Sequence, residues 1–341
     1  MPNIHELFSN KVVLDYLQNR QYPSLMGETL FPEVKRDSLE FEYVKGGNNT
    51  PVVASVHSFD TETELGSREA EKAALELALI KRKMRWNEKD IIALQNPRTQ
   101  QEQQYLTRQV FNDVDTLVAG VRARVEAMRM EVLANGTVTL AENGLSGSVD
   151  YGVPSDHKEA LTGTARWTDT ANSTPLEDLE RWQDALDGQA TRALTSKKVL
   201  NTLLKHPHII EALYGKGSQR FATRNELNAF LQQRDLPQIV TYDQKYRKQN
   251  EDGSYTSVRY FPENKFTLFG DGKLGEAIYG PTAEEVRLVN DPTVDTNAVG
   301  NVLAMVYDET RDPVGTYTKA VATALPSFPA ADQVFQAQPI D

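Results

Sequence analysis

No cysteine occurs among the 341 residues. Disulfides, thiolate metal sites and cysteine nucleophiles are thereby excluded, whatever the compartment. Histidine is nearly as scarce, limited to His5, His57, His157, His206 and His208. Long apolar runs are missing too: a stretch such as VLAMV at 302–306 falls far short of the ~20 residues a membrane-spanning helix needs. Residues 1–20, MPNIHELFSNKVVLDYLQNR, carry charges every few positions and lack the apolar centre of a secretory signal. The expectation is a soluble chain made in a cytoplasm, with no membrane partner. Positive charge is in deficit, with 37 Lys and Arg against 48 Asp and Glu, a net charge of -11. The densest basic run is KRKMR at 81–85, so general affinity for nucleic acid through phosphate neutralisation is not expected.

What is present is ordinary globular material. Apolar residues make up 39% and charged residues 25%, which argues against disorder. The length suits two domains on a prior of ~150 residues each, with room for a substantial core.

Residues 4–20 place Ile4, Leu7, Phe8, Val12, Leu14 and Leu17 near helical spacing, and Tyr22-Pro23 ends the pattern. Leu39, Phe41 and Tyr43 then alternate with Glu40, Glu42 and Val44, the period of a half-exposed strand. GGNNTP at 46–51 is a turn cluster and VVASVHSF resumes the extended pattern, predicting a long hairpin arm with little apolar surface of its own. Between 67 and 95 helix and strand cannot be separated, and the dense charge reads as a solvated face. The clearest element runs from Pro97 to Gly136. Leu106, Val110, Val114, Leu117, Val121, Val125, Met128 and Val132 recur every three or four residues, one apolar stripe along a helix of about 30 residues. Asn135-Gly136 supplies its stop. The lone stripe favours a helix lying on a sheet over a coiled coil.

TVTLAENGLSGSVDYG at 137–152 reads as a hairpin about Asn143-Gly144. Thr174-Pro175-Leu176-Glu177 and Thr223-Arg224-Asn225-Glu226 both have the order of a helix N-cap followed by a capping-box glutamate. Leu179, Trp182 and Leu186 form the buried face of the first helix, and Leu227, Phe230 and Leu231 that of the second. IVTYDQKY, SYTSVRYF and KFTLF, with NEDG at 250–253 as a turn, predict three strands over 239–269. VLAMVYDE, TYTKAVATAL and the short VFQAQ at 334–338 add more.

The chemistry is thin. Gly270, Gly272 and Gly275 in FTLFGDGKLGEAIYGP spell G-x-G-x-x-G. A dinucleotide site needs those glycines to open a helix whose N-terminus holds the pyrophosphate. Only EAIY follows before Gly280-Pro281, so a turn leaving a strand is the better reading and a nucleotide-dependent oxidoreductase the poorer one. His206-Pro207-His208 is a possible metal pair without a third ligand nearby, and a structural role fits better. Asp113/Asp115 and Glu284/Glu285 are pairs that an acidic chain produces by chance. Trp86, Trp167 and Trp182 read as packing residues. No catalytic, cofactor-binding or metal residue is assigned, no cofactor is expected, and the chain is read as not an enzyme.

The order of these elements resembles the major capsid proteins of tailed double-stranded DNA phages, and within them the lambda-type capsid protein E family. The segments that carry the resemblance are LFP at 30–32, ELGSREAEK at 64–72, EAMRMEVLANGTVTL at 126–140 and PLEDLERW at 175–182. PENKFTLFGDGKLGEAIYGP at 262–281 and ALPSFPAADQVFQAQ at 324–338 complete the set. The resemblance implies an α+β chain with the Hong Kong-phage-type capsid fold. It implies an N-terminal arm at 1–37, an extended E-loop at 38–95 and a peripheral domain with spine helix and hairpin at 96–159. An axial domain at 160–294 and C-terminal strands at 295–341, returning through both domains, follow. It further implies a subunit that assembles into hexamers and pentamers of an icosahedral head in the virion, put together in the host cytoplasm. The shell would enclose double-stranded DNA without sequence-specific binding. Implied partners are a scaffolding protein and a portal, with a decoration protein as a further candidate. An encapsulin-like compartment shell is the related alternative. Some capsid relatives cross-link lysine to asparagine; Lys45 with Asn48 and Asn49 sits at the arm's tip, where a solvated turn is the simpler reading.

Overall fold

A computed structural model describes residues 22–45, 71–96, 98–142, 147–288, 294–309 and 314–341. Those residues fall into two compact units, one drawn from 22–41, 75–128 and 276–327, the other from 42–45, 71–74, 129–275 and 328–341. The expected helix over 4–20 and the tip of the arm at 46–51 lie outside the described residues.

In the first unit, a short helix α1 (Met26–Leu30) leads into β1 (Glu33–Lys35). β2 (Glu40–Lys45) and β3 (Glu71–Glu76), most of whose residues belong to the second unit, pair as a two-stranded ribbon; the return strand read at VVASVHSF, 52–59, lies outside the described residues. The ambiguous stretch up to residue 95 resolves into β3, β4 (Ala78–Trp86) and helix α2 (Glu88–Gln95), whose N-cap Asn87 accepts from the Asp90 backbone N–H. α3 is a single helix over Gln100–Asn135, 36 residues and so about 54 Å long, within the bounds read from the sequence. Polar residues 100–105 extend it N-terminally. Leu106, Val114, Leu117, Val121, Val125, Met128 and Val132 of the stripe are all buried; the Val110 side chain lies outside the described residues.

The sheet of this unit is completed by four strands late in the chain: β13 (Glu276–Gly280), β14 (Val294–Val299), β15 (Val302–Glu309) and β16 (Gly315–Ser327). The order is β1-β13-β16-β15-β14, with β4 also paired to β16. β1 runs parallel to β13 and the other pairings are antiparallel. β14 and β15 form a hairpin around Gly300, whose φ is 61°. Gly280 has to be glycine for space: a Cβ there would meet Leu77 Cδ1 at 2.4 Å and the Ser38 carbonyl at 2.9 Å. Helix α8 (Ala283–Leu288) follows β13.

The second unit is built on five strands in the order β7-β17-β12-β8-β9. They are β7 (Lys158–Ala160), β8 (Arg192–Thr195), β9 (Gln238–Thr241), β12 (Phe266–Phe269) and β17 (Val334–Gln338). β5 (Thr137–Leu140) and β6 (Gly147–Asp150) form the predicted antiparallel hairpin after α3; its Asn143-Gly144 turn lies outside the described residues. β8 and β9 are parallel, and three helices cross between them: α5 (Lys197–Lys205), α6 (Pro207–Tyr214) and α7 (Arg224–Gln233). That is the connection a parallel pair requires. Together with α4 (Pro175–Asp184), they close one apolar cluster containing Trp167, Leu179, Trp182, Leu200, Leu203, Ile209, Leu227, Phe266 and Phe335. Trp182 stacks on Trp167 at 5.5 Å and on Phe335 at 5.6 Å, while Phe266 meets Trp167 edge-on. Both indole N–H groups are satisfied, by Asp178 and Glu159, as buried tryptophans require.

The end of α3 shows why Asn135-Gly136 stops it. Gly136 has φ 72°, its N–H donates to Val132 O at 2.8 Å, and a Cβ would clash with Val153 at 2.7 Å. Gln336 Nε2 and Thr267 Oγ1 donate to the helix carbonyls of Val132 and Leu133. Groups that end-of-helix geometry leaves unpaired are thus covered by side chains of β17 and β12.

Two expectations need correction. IVTYDQKY is not one strand: β9 ends at Thr241 and β10 (Lys245–Gln249) pairs instead with β11 (Tyr255–Arg259) in a separate hairpin. Between them the Asp243 carboxylate accepts the Lys197 N–H, at 3.1 Å to each oxygen, which draws the chain to the start of α5. Thr174 does precede α4, but its side chain makes no capping bond; Pro175 occupies the first turn and no box with Glu177 forms. The box at Thr223 and Glu226 is formed, with both bonds present. The helix pair α5–α6 is a feature that the apolar pattern did not single out.

Candidate functional site

The glycine triplet was the one motif with a catalytic precedent, and its surroundings are not those of a phosphate cradle. Gly270 follows β12, and the residues after Gly275 form strand β13 rather than a helix. Among the three only Gly272 has positive φ, at 92°, where a β-carbon would be strained whatever the space. Gly270 instead approaches a neighbouring backbone, with 3.2 Å available between its would-be Cβ and Gln189 O. Arg192 holds the turn together, donating to the carbonyls of Gly270 at 2.7 Å and Gly272 at 2.9 Å. The loop's acceptors face that guanidinium, the opposite polarity from the N–H-lined nest a phosphate seeks.

His206-Pro207-His208 is a helix start. His206 is fully buried. Its Nδ1 accepts the His208 backbone N–H at 3.2 Å, Pro207 fills the first helical position and α6 follows. Nε2 lies 2.9 Å from the Ser173 hydroxyl. That hydroxyl already donates to Asp169 O at 2.7 Å, so it accepts from Nε2–H. Both ring nitrogens are therefore used by the neutral tautomer. Burial, with the His208 charge adding to it, lowers the His206 pKa to about 4. Among the described residues no group of three or more His, Asp or Glu side chains is placed to hold a metal ion.

The carboxylate pairs separate on inspection. Asp113 accepts from Trp86 Nε1 at 3.0 Å, and burial pushes its pKa up, partly opposed by that bond. Asp115 accepts from Tyr22 at 2.9 Å. Burial would raise Glu284, but the Lys319 ammonium paired with it outweighs this and leaves the carboxyl below its ordinary range. Glu285 pairs with Lys35 at 2.7 Å. Each acid is thus tied to its own structural partner. Trp86, Trp167 and Trp182 are all buried, as packing residues should be. KRKMR lies on β4, where Lys83 rests over the Tyr317 ring at 4.7 Å. Lys45 ends β2, and Asn48 and Asn49 lie outside the described residues.

A cleft of about 320 Å³ in the first unit is lined by Tyr22, Glu28, Glu33, Arg122 and Asn301, among others. Its polar groups bind one another: Arg122 to Glu28 at 2.5 Å, Asn301 to Glu33 at 2.9 Å, and Arg122 over the Tyr22 ring at 4.9 Å. The Gly27 N–H reaches the buried Glu126 of α3 at 2.8 Å. This network fastens the segment around α1 to α3 and offers no nucleophile with an adjacent base.

What the surface does offer is apolar side chains held in the open. Phe221 is 76% exposed, Val286 78%, Tyr105 65% and Ile92 62%. Phe221 sits in a fixed loop: Arg220 covers the Tyr214 ring at 4.7 Å and pairs with Glu226 at 2.6 Å, which also caps α7. The β10–β11 hairpin is exposed along most of its length. Periodicity could not have found these positions, because a lone aromatic in a polar loop reads the same whether covered or bare. Among the described residues no helix is long and apolar enough to cross a membrane.

The family model for the phage major capsid protein E matches residues 10–338. No curated protein matches the sequence. Among solved structures, the protein assigned as a prophage capsid protein in Escherichia coli CFT073 is 14% identical, with 99% of this chain and 95% of that one covered and a TM-score of 0.56. A phage-related protein of Bordetella bronchiseptica RB50 is also 14% identical, with 97% of each chain covered and a TM-score of 0.51.

Proposed function

This chain belongs to the phage major capsid protein E family, and from that premise we propose how it serves as the structural subunit of a phage head. It has the Hong Kong-phage-type capsid fold, and its work is assembly rather than catalysis. Subunits associate through heterologous contacts that close into rings, the hexamers and pentamers of an icosahedral shell located in the virion. The observation that carries the reading is the family match along nearly the whole chain; the apolar side chains standing in solvent and the satisfied polar clusters are what a subunit with neighbours needs.

Residues 1–37 act as an N-terminal arm, 38–95 as an E-loop, 96–159 as a peripheral domain and 160–294 as an axial domain, with 295–341 as returning strands. The apolar cluster of α4–α7 with β8, β9 and β12 supports grouping most of 160–294 together. The shell forms in the host cytoplasm with a scaffolding protein, is entered through a portal, and encloses double-stranded DNA. The net charge of -11 suits a wall to which packaged DNA does not adhere. Sedimentation velocity of the purified chain over a hundredfold concentration range tests this. Rings or closed shells at the upper end are expected, and a monomer throughout, with and without a scaffolding protein, overturns it.

A further inference from the structure

The β10–β11 hairpin is a two-stranded ribbon that joins neither larger sheet. Such ribbons are marginal in water unless one face is packed. One face is: Tyr246 lies 5.1 Å from Tyr260, which stacks on Tyr242 at 6.0 Å, and Lys248 pairs with Glu142 at 2.7 Å. The register pairs Lys245 with Arg259, Arg247 with Ser257 and Gln249 with Tyr255, so these six side chains share the opposite face. Arg259 is neutralised by Asp243 at 2.5 Å and Glu263 at 3.0 Å. Among the described residues, Lys245 and Arg247 have no carboxylate within ion-pair distance, and Arg247 lies over the exposed Tyr255 ring at 4.4 Å. In a chain with eleven more acids than bases, a basic-aromatic face without counter-ions is out of character.

The complementary surface is on the same unit. Glu177 and Asp184 lie seven residues apart on one side of α4, and Asp187 follows in the turn with φ 51°. All three are exposed and make no ion pair among the described residues. Asp184 and Asp187 stand at the C-terminal end of the helix, where the helix dipole disfavours negative charge; a cation from outside would relieve them.

We propose that the outward face of this hairpin, through Lys245, Arg247 and Tyr255, docks on the acidic side of α4 and the turn after it (Glu177, Asp184 and Asp187) of a second copy of the chain. Two unlike, complementary patches on one chain are what a head-to-tail ring requires, and a shared electrostatic contact fixes its register. The inference rests on the shell-subunit reading and names one of its contacts.

Four proteins test it: wild type, K245E/R247E, E177K/D184K and the combination, each first shown by circular dichroism to melt like wild type. Assembly is followed by sedimentation and electron microscopy. Either single set is expected to raise the threshold concentration about tenfold, the combination to restore it to within about threefold of wild type, and 0.5 M salt to weaken the wild type. Equal assembly by all four overturns the contact while leaving the shell reading intact. Failure of the wild type to assemble at all overturns the shell reading and the contact with it. A 30-base-pair duplex is titrated in parallel. If K245E/R247E assembles normally but loses duplex binding, the face belongs to nucleic acid and the proposal fails.

Discussion

The aromatic centre of the second unit and the β10–β11 hairpin lie in the same unit and obey opposite rules. Around Trp182 every ring has a neighbour, every indole N–H has an acceptor, and the lining side chains are within a few per cent of full burial. Along the hairpin, Tyr255 and the cations beside it face solvent. A core of the first kind is complete within one chain. A face of the second kind is left open by its own chain, and in the contact proposed above it is the part that a second copy covers. On the proposed contact, the contrast separates residues that fold the subunit from residues that join it to its neighbours.

The sharpest way to break the contrast is to damage the folding side. Trp182→Ala removes a fully buried ring stacked on two others and is expected to cost about 3–5 kcal/mol, measured by denaturant unfolding. A loss below about 1 kcal/mol would mean that the aromatic cluster is not what holds the unit.

Acid provides a gentler perturbation of the same core. The folded state keeps His206 neutral, with a pKa of about 4 against an ordinary 6.5. Below pH 6.5 the unfolded chain gains a proton that the folded chain refuses. Stability contributed by this group is complete above pH 6.5 and falls as pH drops towards 4, beyond which the folded state titrates as well. The expected loss is on the order of 3 kcal/mol across that window. Unfolding curves at pH 7, 5.5 and 4.5 measure it, and an H206Q variant should show a shallower slope. Identical slopes for both proteins would remove the assignment.

Smaller effects come from the cap and from the joining side. Thr223→Ala should cost about 1 kcal/mol by unbonding the Glu226 N–H at the start of α7. Phe221→Ala should leave subunit stability within about 0.5 kcal/mol, yet lower the yield of shells severalfold. Stability lost without any change in assembly would move Phe221 from the joining residues to the folding ones.

Legibility of the chain follows the same divide. The α3 helix could be read because its stripe depends on local periodicity, and its end because Gly136 needs positive φ for local reasons. The Thr223 box was legible for the same reason. The break after Thr241 was not, because it depends on a bond from Asp243 to a backbone 46 positions away. At Thr174 the residue order was right and the side-chain bond absent: the ψ there is 73°, against 158° at Thr223, where the bond forms. The glycine triplet could be rejected as a cofactor site from the short EAIY stretch after it, though only one of its glycines needs a positive φ. The exposed aromatic positions were not legible in the sequence. Phe221 and Tyr255 become informative only when tertiary structure leaves them bare.

Amide hydrogen exchange, compared between the dissociated chain and assembled particles, tests this division most directly. The account predicts that α4, α5 and β12 are strongly protected in both states, whereas 245–259 and the loop at 215–222 gain protection only on assembly. A hairpin that exchanges equally fast in both states, or an aromatic core that becomes protected only in the particle, would contradict it.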